Sequence, residues 1–94
     1  MTPLDHIAEQ IIKEQELIIG PLAWSEAGKV AGLSVDGNKK EVHIVGADQK
    51  VAVDALVAQY ERLFGRASHE ACREAVASLL ASFSPADIPT SLRL

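Results

Sequence analysis

His69 and Cys72 stand one helical turn apart in "SHEACRE", residues 68 to 74, with Arg73 beside them. An imidazole near a thiol is the start of nucleophilic chemistry, because a neighbouring base or cation lowers the thiol pKa and the thiolate is the reactive form. The pattern stops there. A nucleophile also needs a group that orients its base and donors for an oxyanion, and the sequence supplies neither. A cysteine on an apolar helical stripe behaves as a small hydrophobe. The chain is therefore read as a non-enzyme with no catalytic residues.

The other chemistry-bearing residues are dispersed. His6, His43, His69 and Cys72 show none of the paired spacings that close a zinc site. "VDGNKKE" has a turn's composition but lacks the later ligand positions of a calcium loop. Glu9, Glu14, Glu16, Glu70 and Glu74 read as solvated helix faces, with Glu70 and Glu74 mildly repulsive at i,i+4. No glycine motif cradles a phosphate. Neither a metal nor a cofactor is expected.

Bulk properties narrow the partners. The chain has 94 residues, 48% apolar and 23% charged, and nine Lys and Arg against thirteen Asp and Glu give a net charge of -4. One domain spanning 1–94 with a single core fits that length. The negative field disfavours nucleic acid and anionic membrane surfaces, and Lys39-Lys40 is the sole basic pair. A single cysteine excludes an internal disulfide, and the apolar runs are too short to cross a bilayer. The expected location is cytoplasmic.

The elements follow from periodicity and punctuation. Thr2-Pro3-Leu4-Asp5 has a cap, a first-turn proline and an acid, so a helix opens here. Its apolar positions are Leu4, Ile7, Ala8, Ile11, Ile12, Ile18 and Ile19, and Gly20-Pro21 ends it. A second helix runs through Leu22, Ala23, Ala27, Val30 and Ala31 to Gly32, completing a helical unit over 3–32. Leu33-Ser34-Val35, the turn cluster Asp36-Gly37-Asn38 and Glu41-Val42-His43-Ile44-Val45 read as a β-hairpin over 33–46. Asp48 caps a third helix with Ala52, Val53, Leu56, Val57, Tyr60, Leu63 and Phe64 on its stripe, up to Gly65. A fourth begins near Ala67 and carries Ala71, Cys72, Ala75, Val76, Leu79, Leu80 and Phe83, closing a helical unit over 48–83. In the tail, 84–94, Ser84-Pro85-Ala86-Asp87 predicts one last turn before Pro89, and "TSLRL" is expected extended or frayed. The fold class is α+β, mostly α: two helix-Gly-helix units flanking a short β-hairpin.

The two units echo one another. At an offset of 45, Glu16 matches Glu61, Gly20 matches Gly65, and Ile11, Ile12, Ile18 and Ile19 match Leu56, Val57, Leu63 and Phe64. A slip to 44 then aligns Ala23, Glu26, Ala27 and Lys29 with Ala67, Glu70, Ala71 and Arg73, and places Trp24 opposite Ser68. Units of this size need a neighbour to cover the apolar face, and two copies can cover each other.

The short motifs "IIGPLA" and "YERLFGRASHEACREAV" resemble a small uncharacterised helical domain attached to bacterial signalling proteins such as Ser/Thr kinases. This chain departs from that type in carrying Arg66 where a Gly-Pro step is usual and in its hairpin insert. The resemblance implies no catalytic residues. It agrees with a non-enzymatic protein-interaction or regulatory module in cytoplasmic signalling or assembly, binding a protein partner or a second copy. The expected contact surface is Trp24 with Val42, Ile44 and the adjoining face of the second helix, since Trp is enriched at binding hot spots and an unpaired strand edge offers free N–H and C=O groups. Trp24 also has a packing role open to it, filling the space beside Ala27, Gly28 and Ala31. The alternative function is a small-ligand carrier or sensor with an apolar pocket near Trp24.

Overall fold

The computed structural model describes residues 3–46 and 48–93. Among them the order is α1 (Pro3–Ile19), α2 (Leu22–Ala27), β1 (Leu33–Asp36), β2 (Glu41–Ile44), α3 (Gln49–Phe64) and α4 (Arg66–Leu80), then single 3-10 turns at Pro85–Asp87 and Thr90–Leu92. The chain is thus α+β and mostly α, with a two-stranded antiparallel hairpin between two helical units. The proposed capping role of Thr2 lies outside the described residues.

Both glycine corners form, by the same device. Gly20 and Gly65 have φ of 73° and 91°, which side chains rarely adopt. Gly20 N–H donates to Glu16 O at 2.9 Å and Gly65 N–H to Glu61 O at 2.8 Å, while Ala23 N–H donates to Gly20 O at 3.0 Å and Ser68 N–H to Gly65 O at 3.1 Å. Each preceding helix is closed and each following helix opened by bonds that repeat at an offset of 45. The offset does not slip after the glycines. Ala23 and Ser68 are both buried, as are Ala27 and Cys72, whereas Ala67 is exposed. The alignment at 44 is therefore corrected, and Trp24 stands opposite His69 instead of Ser68.

The second helix is shorter than its apolar pattern predicts. It ends at Ala27, and Gly28, Lys29 and Val30 continue as turns through Gly28 N–H to Trp24 O and Val30 N–H to Ala27 O, each 3.1 Å. Val30 still reaches the core. Gly32 then turns the chain at φ 90°, with Ala52 Cβ only 3.3 Å from where a side chain would begin.

The hairpin is in register Leu33 with Ile44, Ser34 with His43, Val35 with Val42 and Asp36 with Glu41. Strand alternation places Leu33, Val35, Val42 and Ile44 on one face, and all four are buried or half-buried, while Ser34, Asp36, Glu41 and His43 are exposed. That face lies on the chain's own helices, β2 against α1 and β1 against α2. Asp36 Oδ1 accepts from Asn38 N–H and Lys39 N–H at 3.0 and 3.1 Å, so an Asx turn sets the reversal.

The core joins both units. Leu4, Ile7, Ala8, Ile11 and Ile12 of α1 meet Val53, Leu56, Val57 and Tyr60 of α3, Cys72 and Val76 of α4, and Trp24 of α2. Each large apolar side chain removed from water here contributes on the order of 1.5–3 kcal/mol before entropy. Asp48 caps α3 as its position predicts, accepting from Lys50 N–H and Val51 N–H at 3.1 Å each. The tail departs from expectation. Residues 90–92 form a turn that packs on α3 and α4, and Leu92 is buried.

Candidate functional site

Two clusters of polar side chains gather at equivalent places in the two units. In the first, α1 supplies Glu16, α2 supplies Trp24 and the hairpin turn supplies Lys40. The Lys40 ammonium ion-pairs with the Glu16 carboxylate and sits 5.3 Å from the centre of the Trp24 ring, within cation–π range. Lys40 holds Glu16 below the usual carboxylate range, with a second pull from the Trp24 indole N–H. That N–H has no acceptor in hydrogen-bonding geometry, so its influence on Glu16 is one of proximity. Lys40 adopts φ of 57°, the sole non-glycine left-handed residue among those described.

The residues expected to form a contact surface, Trp24, Val42 and Ile44, are largely covered in this structure. The indole is only 4% exposed and Val42 is fully covered. Ile44 is half-buried, and its N–H donates to Asp5 Oδ1 at 2.9 Å, which occupies part of the strand edge. Trp24 is a core residue roofed by Lys40 and the hairpin. The hydrophobic alternation of the hairpin dictates this: a strand face that is apolar must be covered, and α1 and α2 are the nearest cover.

The second cluster joins α3, α4 and the tail. His69 Nδ1 lies 2.9 Å from Glu61 Oε2, and His69 Nε2 lies 2.6 Å from the Ser91 carbonyl. Ser91 in turn donates from N–H and Oγ to Asp54 Oδ1 at 2.9 and 2.6 Å. The Ser91 carbonyl raises the His69 pKa most; burial opposes it, and the Glu61 carboxylate then adds to the rise, leaving the ring above its ordinary value. Glu61, Asp54 and Ser91 were not singled out by residue type or spacing. The identity of Glu16 with Glu61 across the echo was the one available signal.

Cys72 lies in the core, and its environment opposes nucleophilic use. His69 turns away to Glu61 and Ser91, and the group near Cys72 Sγ is Gln15 Nε2 at 3.4 Å. Burial pushes the thiol up to about 11, outweighing the Gln15 hydrogen bond, so it is protonated at neutral pH. Arg73 bonds Glu70 instead of approaching the thiol. Gln15 itself is fully buried and donates to Ser68 O at 3.0 Å, leaving its own Oε1 without a partner. Among the described residues, no group of three His, Cys, Asp or Glu side chains can hold a metal ion.

Two open grooves lie away from Trp24. One of about 760 Å³ is bordered by Leu4, Gln49, Lys50, Phe83 and Asp87. Another of about 610 Å³ runs between α1 and α4 past His6, Ile7, Gln10, Ala75 and Leu79. Neither is the pocket beside Ala27, Gly28 and Ala31 that the small residues suggested. Three exposed apolar side chains lie within one turn of the Gly20-Pro21 corner, Leu17 at 82%, Ile18 at 57% and Leu22 at 45%, while Val45, Val51, Leu63 and Leu79 are exposed singly elsewhere. No helix among the described residues is long and apolar enough to cross a membrane.

No family model matches the chain, and neither does any curated protein or solved structure.

Proposed function

We propose that the chain is a non-enzymatic protein-interaction module of cytoplasmic signalling or assembly, and that its contact surface is the α1–α2 corner. The observation that carries this reading is the exposure of Leu17, Ile18 and Leu22 around Gly20-Pro21. Isolated apolar side chains on a surface are ordinary, and what favours this corner is that three strongly exposed ones fall within six positions of one turn, where a contact site would need them. The corner stands on buried Ala23, Trp24 and Ala27, so the patch is presented by a packed support.

The contact moves from the hairpin to the corner for a physical reason. Four-residue strands offer few edge groups, and the Ile44 N–H is already taken by Asp5. A second copy is the occupant we favour, since an apolar patch is complementary to itself across a two-fold axis. The resemblance of "IIGPLA" and the segment after Tyr60 to a domain of bacterial signalling proteins agrees with a regulatory role.

Sedimentation across a wide concentration range tests it. The native chain should associate as concentration rises, and a Leu17→Asp, Leu22→Asp variant with unchanged circular dichroism should stay monomeric. A native chain that remains monomeric at high concentration would remove self-association at this corner.

A further inference from the structure

Trp24 and His69 occupy the same position of the two units, and each lies beside the glutamate whose carbonyl closes its own corner, Glu16 and Glu61. In the first unit that ring is an indole, which keeps its N–H and does not titrate in the ordinary pH range. In the second it is an imidazole, and its two partners are a carboxylate oxygen at 2.9 Å and a backbone carbonyl at 2.6 Å. Both accept and neither donates. A neutral imidazole has one N–H, so only the imidazolium satisfies both contacts.

We propose that His69 is a pH-sensitive fastener of residues 85–92, holding them on α3 and α4 as the imidazolium and loosening them as the ring loses its proton. The segment is built to depend on a few points. It consists of two 3-10 turns and packs through Leu92, Pro89 and the half-buried Ile88. Lys50 Nζ to Ala86 O and Arg93 to Pro85 O are exposed bonds. The inward polar contacts are those of Ser91 with Asp54 and with His69.

The charges bearing on the ring are Glu61 from α3 and Glu70 from its own helix, and Asp54 of α3 faces the segment through Ser91. Among the described residues no cation acts on the ring: Arg73 bonds Glu70, Arg62 bonds Gln59 and Arg93 of the tail bonds the Pro85 carbonyl. All three carboxylates favour the charged ring or its partner. Because the folded pKa is raised, the contribution of this contact is complete below the ordinary value of 6.5 and is lost as pH rises through the higher folded value.

An NMR titration of the intact chain from about pH 5 to about pH 9 follows the His69 ring and the Leu92 methyl groups. The expected result is one shared midpoint above 6.5. In Glu61→Gln the midpoint should fall, and in His69→Gln the Leu92 signals should no longer titrate in this range. A His69 midpoint at or below 6.5, or Leu92 signals that stay constant while the native ring titrates, overturns the proposal, and neither observation requires a variant to fold.

Discussion

Gln15 and Tyr60 stand 45 positions apart and each reaches across the core to a backbone carbonyl of the opposite unit. Gln15 Nε2 donates to Ser68 O at 3.0 Å, and Tyr60 Oη donates to Ala23 O at 2.6 Å. Ser68 and Ala23 are themselves equivalent, each the third residue after its glycine. A contact that recurs with the roles of the two units exchanged is what a two-fold relation produces. Each donor is a buried polar residue on an otherwise apolar helix face, so each bond fixes how one helix seats on the start of the other unit's second helix.

Removing the Tyr60 hydroxyl should be the more costly of the two changes. Tyr60→Phe leaves a buried carbonyl without its cross-unit donor and is expected to cost about 1–2 kcal/mol. Gln15→Met loses the bond to Ser68 but also removes the unpartnered Oε1, so its cost should be smaller, about 1 kcal/mol or less. Urea unfolding monitored by circular dichroism gives both values. The ordering is the check.

The glycines should rank by conformation and by space. Gly20→Ala meets no atom within 4 Å and should cost about 1–2 kcal/mol from the left-handed backbone alone. Gly65 combines φ 91° with ψ -178°, a region nearly reserved for glycine, so Gly65→Ala should cost about 2–3 kcal/mol. Gly32→Ala carries positive φ and also presses on Ala52 Cβ, which makes it more damaging than Gly20→Ala. Thermal midpoints measured side by side decide the order.

Lys40 sets a left-handed backbone against two side-chain contacts. Lys40→Gly relieves the backbone by about 1 kcal/mol and gives up the Glu16 ion pair and the Trp24 ring contact, so it should be close to neutral. Lys40→Ala gives up the same contacts and keeps the strain. Alanine should therefore be less stable than glycine here, the reverse of the usual preference.

Cys72 should react slowly with thiol reagents in the folded chain at neutral pH. It is buried and its pKa lies near 11, so both access and ionisation oppose reaction. Labelling should become rapid in denaturant. Fast labelling of folded protein would instead point to an open thiolate.

Stability should fall on the acid side through Glu16 and Glu26. Lys40 and then Trp24 lower the pKa of Glu16, and Lys29 and then Gln59 lower that of Glu26. Their contributions are present above the ordinary value of 4.5 and are lost as pH falls through the lowered folded values. Urea midpoints measured downward from about pH 6 should show the loss, and Lys40→Ala should reduce it.

Local pattern was enough for the three long helices, the hairpin and the corners, but not for the end of α2 or the second turn in the tail. Three-and-four spacing in α1, α3 and α4, the Asp48 cap, alternation in the hairpin and glycine at both corners depend on neighbours a few residues away, which is the range over which a sequence speaks directly. The recurrence of Glu16-Gly20 as Glu61-Gly65 was visible for the same reason. Burial of Gln15 was not, because a glutamine on a helix face is polar by composition, and only the distant carbonyl of Ser68 makes an interior place for it. Trp24 became core instead of surface because the hairpin turned back over α1 and α2. The tail that reads as frayed is held by Asp54 and His69, whose partners lie 37 and 22 residues away in the chain. Such long-range closures are decided by where packed helices bring side chains in space, and no local period encodes that.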